Sequence, residues 1–167
     1  RDTESFVSDC VATLREQMLN DEALRAELDA ITQTCIEALK KGGKILFCGN
    51  GGSAADAQHL AAELSGRFGY DRPPLASEAL HVNSSFLTAV ANDYSFAEAY
   101  ARMVRAIGKA GDVLIALSTS GNSPNIINAL AAAREMGLHT AGFSGATGGQ
   151  MAEACEFSIR VPSTSTP

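Results

Sequence analysis

Over the first forty positions, apolar residues recur at helical spacing. Phe6, Cys10, Val11, Leu14 and Met18 share one face of a first segment. After Asn20 and Asp21, either of which can cap a helix start, Leu24, Leu28, Ile31, Cys35, Ile36 and Leu39 form a second stripe that stops at Gly42-Gly43. Beyond Lys41 the pattern changes. Short apolar runs at Lys44 to Cys48, Glu78 to Val82, Asp112 to Ser118, His139 to Ser144 and Glu156 to Val161 alternate with amphipathic stretches. The stretches lie near Ser53–Ser65, Ser84–Ala91, Ser95–Ile107, Ser123–Met136 and Gly148–Ala154. Runs that are apolar on both faces suit strands of a parallel sheet covered by helices on two sides. The pattern therefore predicts a doubly wound α/β domain over residues 42–167, with five parallel strands, preceded by a helical pair over 1–41. That pair has apolar stripes of its own to cover, so an oligomer interface is expected there.

Composition narrows the function classes. The chain has 167 residues, 46% hydrophobic and 19% charged, which suits one domain with a real core rather than a disordered or fibrous segment. The formal net charge is −6 and no basic run occurs, so direct nucleic-acid binding is not expected. No apolar stretch approaches the roughly 18 residues of a membrane span, and no signal-peptide pattern opens the chain; the expectation is a cytoplasmic protein away from the membrane. Cys10, Cys35, Cys48 and Cys155 are scattered and read as small buried hydrophobes rather than a disulfide framework or a cysteine-rich zinc site. Arg1 in place of Met suggests that the native start is absent.

Candidate chemistry begins at Gly49 to Ala54, GNGGSA, directly after the first predicted strand and opening a helix. Glycines permit close ligand approach, and free N–H groups at a helix start favour an anion. The spacing also fits G-x-G-x-x-A, a form of the dinucleotide fingerprint. That fingerprint calls for an acidic residue about 20 positions on, at the end of the second strand, and Glu78 stands at the wrong end. A second loop, STSGNS at Ser118 to Ser123, again lies between strand and helix. Its hydroxyl and amide donors, without Lys or Arg, suit the phosphate of a polyhydroxylated ligand held by neutral groups and helix dipoles. A sugar phosphate is preferred to a dinucleotide, and no G-x-x-x-x-G-K-[ST] loop is present.

The helix after the first loop carries His59 and Glu63 four residues apart, on one face, with Asp56 three residues before the histidine. Such a pair can supply two metal ligands or a base with its partner, facing either the cleft or a neighbouring subunit. Arg67 and the Asn92-Asp93 turn are further polar candidates. His81 and His139 read as satisfied strand histidines.

GNGGSAADAQHLAAEL, GRFGYDRPPL, AVANDYSF, GKAGDVLIALSTSGNSPNIINAL and the closing IRVPSTSTP together resemble the SIS (sugar isomerase) family over nearly the whole chain, and within it the sedoheptulose 7-phosphate isomerases. The resemblance implies a cytoplasmic homotetramer with active sites between subunits, often holding zinc. It implies conversion of D-sedoheptulose 7-phosphate to D-glycero-D-manno-heptose 7-phosphate. It implies substrate contacts from Asn50, Gly51, Gly52 and Ser53, from Asn92 and Asp93, and from Ser118, Thr119, Ser120 and Ser123, with Arg67 near the pocket. It further implies a metal-binding His59 and a metal-binding, catalytic Glu63. In the family, an R-I-Q-E segment, a histidine and a final helix follow the last strand; their absence here suggests a domain lacking its C-terminal helix, with the remaining zinc ligands beyond Pro167. Two other readings share these loops: a non-catalytic SIS adaptor resembling the DnaA-initiator-associating protein, and a regulatory domain that senses a sugar phosphate. Retention of both His59 and Glu63 favours the enzyme.

Overall fold

The computed structural model describes residues 2–164. The first helix, α1 (Thr3–Ala12), runs into a wider π turn at Thr13–Met18 and is followed by α2 (Glu22–Lys40), whose start is capped by Asp21 Oδ1 accepting from Leu24 N–H at 3.0 Å. Then come β1 (Ile45–Gly49), α3 (Gly52–Ser65), β2 (Ser77–Ala79), α4 (Ser84–Asp93), a 3₁₀ turn at Phe96–Glu98, α5 (Ala99–Ile107) and β3 (Val113–Leu117). The chain continues through α6 (Pro124–Glu135), β4 (His139–Ser144), α7 (Met151–Ala154) and β5 (Phe157–Arg160). All five strands pair in parallel in the order β2-β1-β3-β4-β5. Ile45 faces Ser77 on one side and Val113 on the other, so β1 and β3 are neighbours from which the chain winds outward in opposite directions.

Burial on both faces of the sheet explains the near-continuous apolar strands. On one face Leu46, Cys48, Leu114 and Ala116 pack under α5, α6 and α7, with Tyr100, Val104, Ile126, Leu130 and Met151 filling the layer. On the other, Ile45, Phe47, Val113, Ile115 and Ala141 meet Ile31 and Ala38 of α2 and Ala57 and Ala61 of α3. The N-terminal helices therefore behave differently. α2 is a layer of the core, and Glu27 Oε1 accepts from Ser158 N–H of β5 at 2.9 Å. α1 buries no residue and leaves Phe6, Val7 and Val11 exposed. Leu14's side chain and residues Ser165 to Pro167 of the closing motif lie outside the described residues.

Several boundaries differ from the periodicity. The strand expected over 78–82 is Ser77–Ala79; Leu80 N–H still reaches Phe47 O at 2.9 Å, but the chain then turns, removing His81 and Val82 from the sheet. The helix expected over 95–107 starts only at Ala99, and α4 extends to Asp93, so Asn92 and Asp93 form its last turn. The helix expected from Gly148 starts at Met151, because Gly148 (φ 73°) and Gly149 (φ 56°) adopt left-handed backbone. At the amino end of β3, buried Asp112 ties the lower edge of the sheet together. It accepts from Lys44 N–H and Lys109 N–H, each at 2.9 Å, and pairs with Lys44 Nζ at 2.6 Å.

Candidate active site

Parallel strands place all their following loops at one edge, and the crevice opens where the strand order reverses. Here that point lies between β1 and β3, and the loops flanking it are Asn50 to Ser53 and Ser118 to Ser123. Gly51, at φ 57°, makes the turn into α3 that a side chain would strain. Ser53 N–H donates to Asn50 O, leaving the amides of Gly51 and Gly52 as the donors this loop presents. In the second loop Ser118 is buried, and its Oγ lies 3.4 Å from Ser123 Oγ. Ser123 therefore stands at the N-cap of α6 without making a side-chain cap bond, and Pro124 opens the helix where no N–H is needed. Gly121 N–H donates to Ser118 O, closing a tight turn at φ 64°, where an added Cβ would collide with Gly148 O.

These pieces enclose a small cleft of about 200 Å³ lined by Asn50, Ser53, Leu117, Ser118, Thr119, Ser120 and Ser123. No Lys or Arg lines it. Attraction for an anion comes instead from hydroxyls, backbone amides and the positive ends of α3 and α6. An adjoining cavity of about 220 Å³ shares Ser53, Ser118 and Thr119 and continues past Asp56 toward Phe143, Ser144 and Val161. The two loops are joined by a pair of amides: Asn50 Nδ2 donates to Asn125 Oδ1 at 2.9 Å, and Asn125 Nδ2 donates to Asn50 Oδ1 at 2.8 Å. Behind them the Tyr100 hydroxyl donates to Gly49 O, and burial, reinforced by Cys48, pushes that phenol up to about 12. Neither Asn125 nor Tyr100 was singled out from the motifs. The available signal was periodicity, which sets Asn125 on the same buried stripe as Ala129, Ala132 and Ala133, where a polar side chain requires a partner.

The other candidates stand apart from the cleft within one chain. His59 Nε2 lies 3.2 Å from Glu63 Oε1 on the outer face of α3, with side chains 72% and 38% exposed. They line a separate depression with Ala55, Gln58 and Ala62. Arg67 is exposed after α3, whose end is held by Arg72 donating to the carbonyls of Glu63 and Leu64 at 2.8 and 2.9 Å. Asn92 and Asp93 are exposed, with Asn92 Nδ2 donating to Asp93 Oδ1 at 2.8 Å. Among the described residues no three His, Cys, Asp or Glu side chains gather as a metal cluster. His81, expected to be satisfied in a strand, instead follows β2 with Nδ1 buried and unpartnered, and burial lowers its pKa. His139 does find a partner, Glu156 Oε2 at 2.9 Å.

The SIS domain family matches residues 8–145. The phosphoheptose isomerase of Rhodospirillum rubrum is 61% identical over 130 residues, covering 78% of this chain and 69% of that protein. The chain belongs to the phosphoheptose isomerase family. Another member, from Mycobacterium tuberculosis, is 46% identical over 166 residues, 99% of this chain and 84% of that protein. The phosphoheptose isomerase structure from Neisseria gonorrhoeae superposes with a TM-score of 0.86 at 39% identity, covering 98% of this chain and 87% of that one. Similarity at this level, with the His59–Glu63 pair intact, does not favour the adaptor or the sensing domain.

Proposed function

We propose that this chain seats the substrate phosphate in the β3–α6 loop and lays the sugar chain across the β1–α3 loop. The reaction is an aldose–ketose isomerisation, D-sedoheptulose 7-phosphate to D-glycero-D-manno-heptose 7-phosphate. What carries the site assignment is the meeting of two neutral, donor-rich loops at the β1/β3 switch point, coupled by Asn50 and Asn125. Ser118, Thr119, Ser120 and Ser123 hold the phosphate. Gly51 and Gly52 amides and Ser53 meet the sugar oxygens, with Asn92, Asp93 and Arg67 at the far end.

Glu63 is the base in this reading. Its carboxylate takes the proton from C1 of the ketose, giving an enediol, and returns it to C2 while a proton passes from O1 to O2. Ten residues of α3 separate Ser53 from Glu63, about 15 Å along the axis at the usual helical rise, more than one heptose phosphate spans. The Glu63 serving a given cleft therefore comes from another copy of the chain, in keeping with a cytoplasmic homotetramer whose active sites lie between subunits. His59 and Glu63 also fit zinc. An imidazole and a carboxylate on one exposed helix face are ordinary zinc donors. Zinc bound there would polarise a substrate oxygen as a Lewis acid.

Glu63→Gln separates the two roles, since an amide oxygen can still ligate a metal but cannot take a proton. Turnover of sedoheptulose 7-phosphate should fall by about 10²–10⁴ in kcat, the usual worth of a general base. Zinc content measured on the same preparation should be largely retained. A fully active Glu63→Gln enzyme would remove the base assignment.

A further inference from the structure

Asn125 is 2% exposed, and its amide meets that of Asn50 edge to edge, each donating to the other at 2.8–2.9 Å. A closed pair of this kind occupies one N–H and the carbonyl of each side chain. It joins the loop after β1 to the helix after β3, beside the cleft proposed for the substrate. The residue before Asn50 is held as well, by Tyr100 donating to Gly49 O.

We propose that Asn125 is a positioning residue for the isomerisation. Its amide locks Asn50 and thereby aims the Gly51 and Gly52 amides at the sugar. The proposal rests on the site assignment above. It also differs from a substrate contact by Asn50 in its consequences: a lock has two equivalent halves, whereas a contact has one.

The test uses Asn125→Ala, Asn50→Ala, the double variant and Asn125→Asp in the intact protein, read by KM and kcat for sedoheptulose 7-phosphate. Amide hydrogen exchange across residues 49–55 is followed in parallel. Each alanine variant should raise KM by about tenfold, the order expected for one lost buried polar pairing, and the double variant should go no further. Exchange over 49–55 should quicken by a similar factor in Asn125→Ala and remain unchanged in β3. Asn125→Asp adds a signature that mere structural damage lacks. Ionised, its carboxylate opposes Asn50 Oδ1; protonated, it donates to it, and burial beside a carbonyl raises its pKa. Its KM relative to the unaltered enzyme at the same pH should therefore fall as pH is lowered from about 8 to 6, whereas the ratio for Asn125→Ala stays flat.

Unaltered KM in Asn125→Ala, or single losses that multiply in the double variant, would overturn the lock. If Asn125→Ala does not fold, the Asn125→Asp series decides, and a pH-independent ratio overturns it. If the unaltered protein does not turn over sedoheptulose 7-phosphate, the functional reading fails while the exchange rates still test the lock; unchanged exchange over 49–55 would then count against it.

Discussion

At the scale of single residues, the cleft donors could be read from the sequence because their chemistry is local. GNGGSA and STSGNS concentrate small donors and glycines where strands end, and the structure brings Asn50, Ser53, Ser118, Thr119, Ser120 and Ser123 to one cleft. The partner of Asn125 and the unsatisfied setting of His81 were not legible, since each is set by what the side chain packs against. Cys48 is buried as expected, and burial pushes Cys35 up to about 11 and Cys155 to about 12; Cys10 is exposed on α1. For His81, burial with an unpartnered Nδ1 favours the neutral ring, so its folded pKa lies below the ordinary 6.5. The unfolded chain then binds the extra proton first. The stability that neutral His81 provides is complete above pH 6.5 and is lost as pH falls below it. Urea midpoints measured from pH 7.5 to 5 should decline in the unaltered protein and decline less in His81→Gln; identical slopes would exclude the histidine as a source.

At the scale of elements, periodicity located every helix and strand of the α/β domain but misjudged the ends of several. β2 is shorter than its apolar run because the chain turns after Ala79, and α7 is trimmed by the left-handed backbone of Gly148 and Gly149. The lower edge of the sheet depends on Asp112, whose carboxylate serves two backbone amides and the Lys44 ammonium. Asp112→Ala leaves those donors unpaired in a buried setting and should cost about 3 kcal/mol, in the range for breaking a buried charge pair. The loss should appear in denaturant unfolding with little change in KM, because Asp112 lies at the edge of the sheet opposite the cleft.

At the scale of the whole molecule, α1 is the unfinished part. It buries none of its own residues and presents Phe6, Val7 and Val11 to solvent, while α2 is committed to the sheet. A helix none of whose residues is buried among the described residues offers an apolar face suited to a subunit contact. If α1 makes the proposed subunit contact, replacing Phe6 and Val11 together by Ser should shift the sedimentation profile toward smaller species, and kcat should fall as each cleft loses the Glu63 proposed to reach it from another copy. A double variant that keeps both its mass in solution and its turnover would place the subunit contact elsewhere.

The sequence by itself determined the elements whose causes are local: helices and strands from the spacing of apolar residues, anion loops from glycine and hydroxyl clusters, and family from motifs spread along nearly the whole chain. The tertiary structure decided what depends on residues distant in the chain. It set the strand order that makes β1 and β3 the switch point, the seventy-five-residue separation that Asn50 and Asn125 close, and the turning of His59 and Glu63 away from their own cleft. The reason is physical. Periodicity fixes which face of an element is buried, but only packing fixes which elements share that burial and which polar groups must find partners within it.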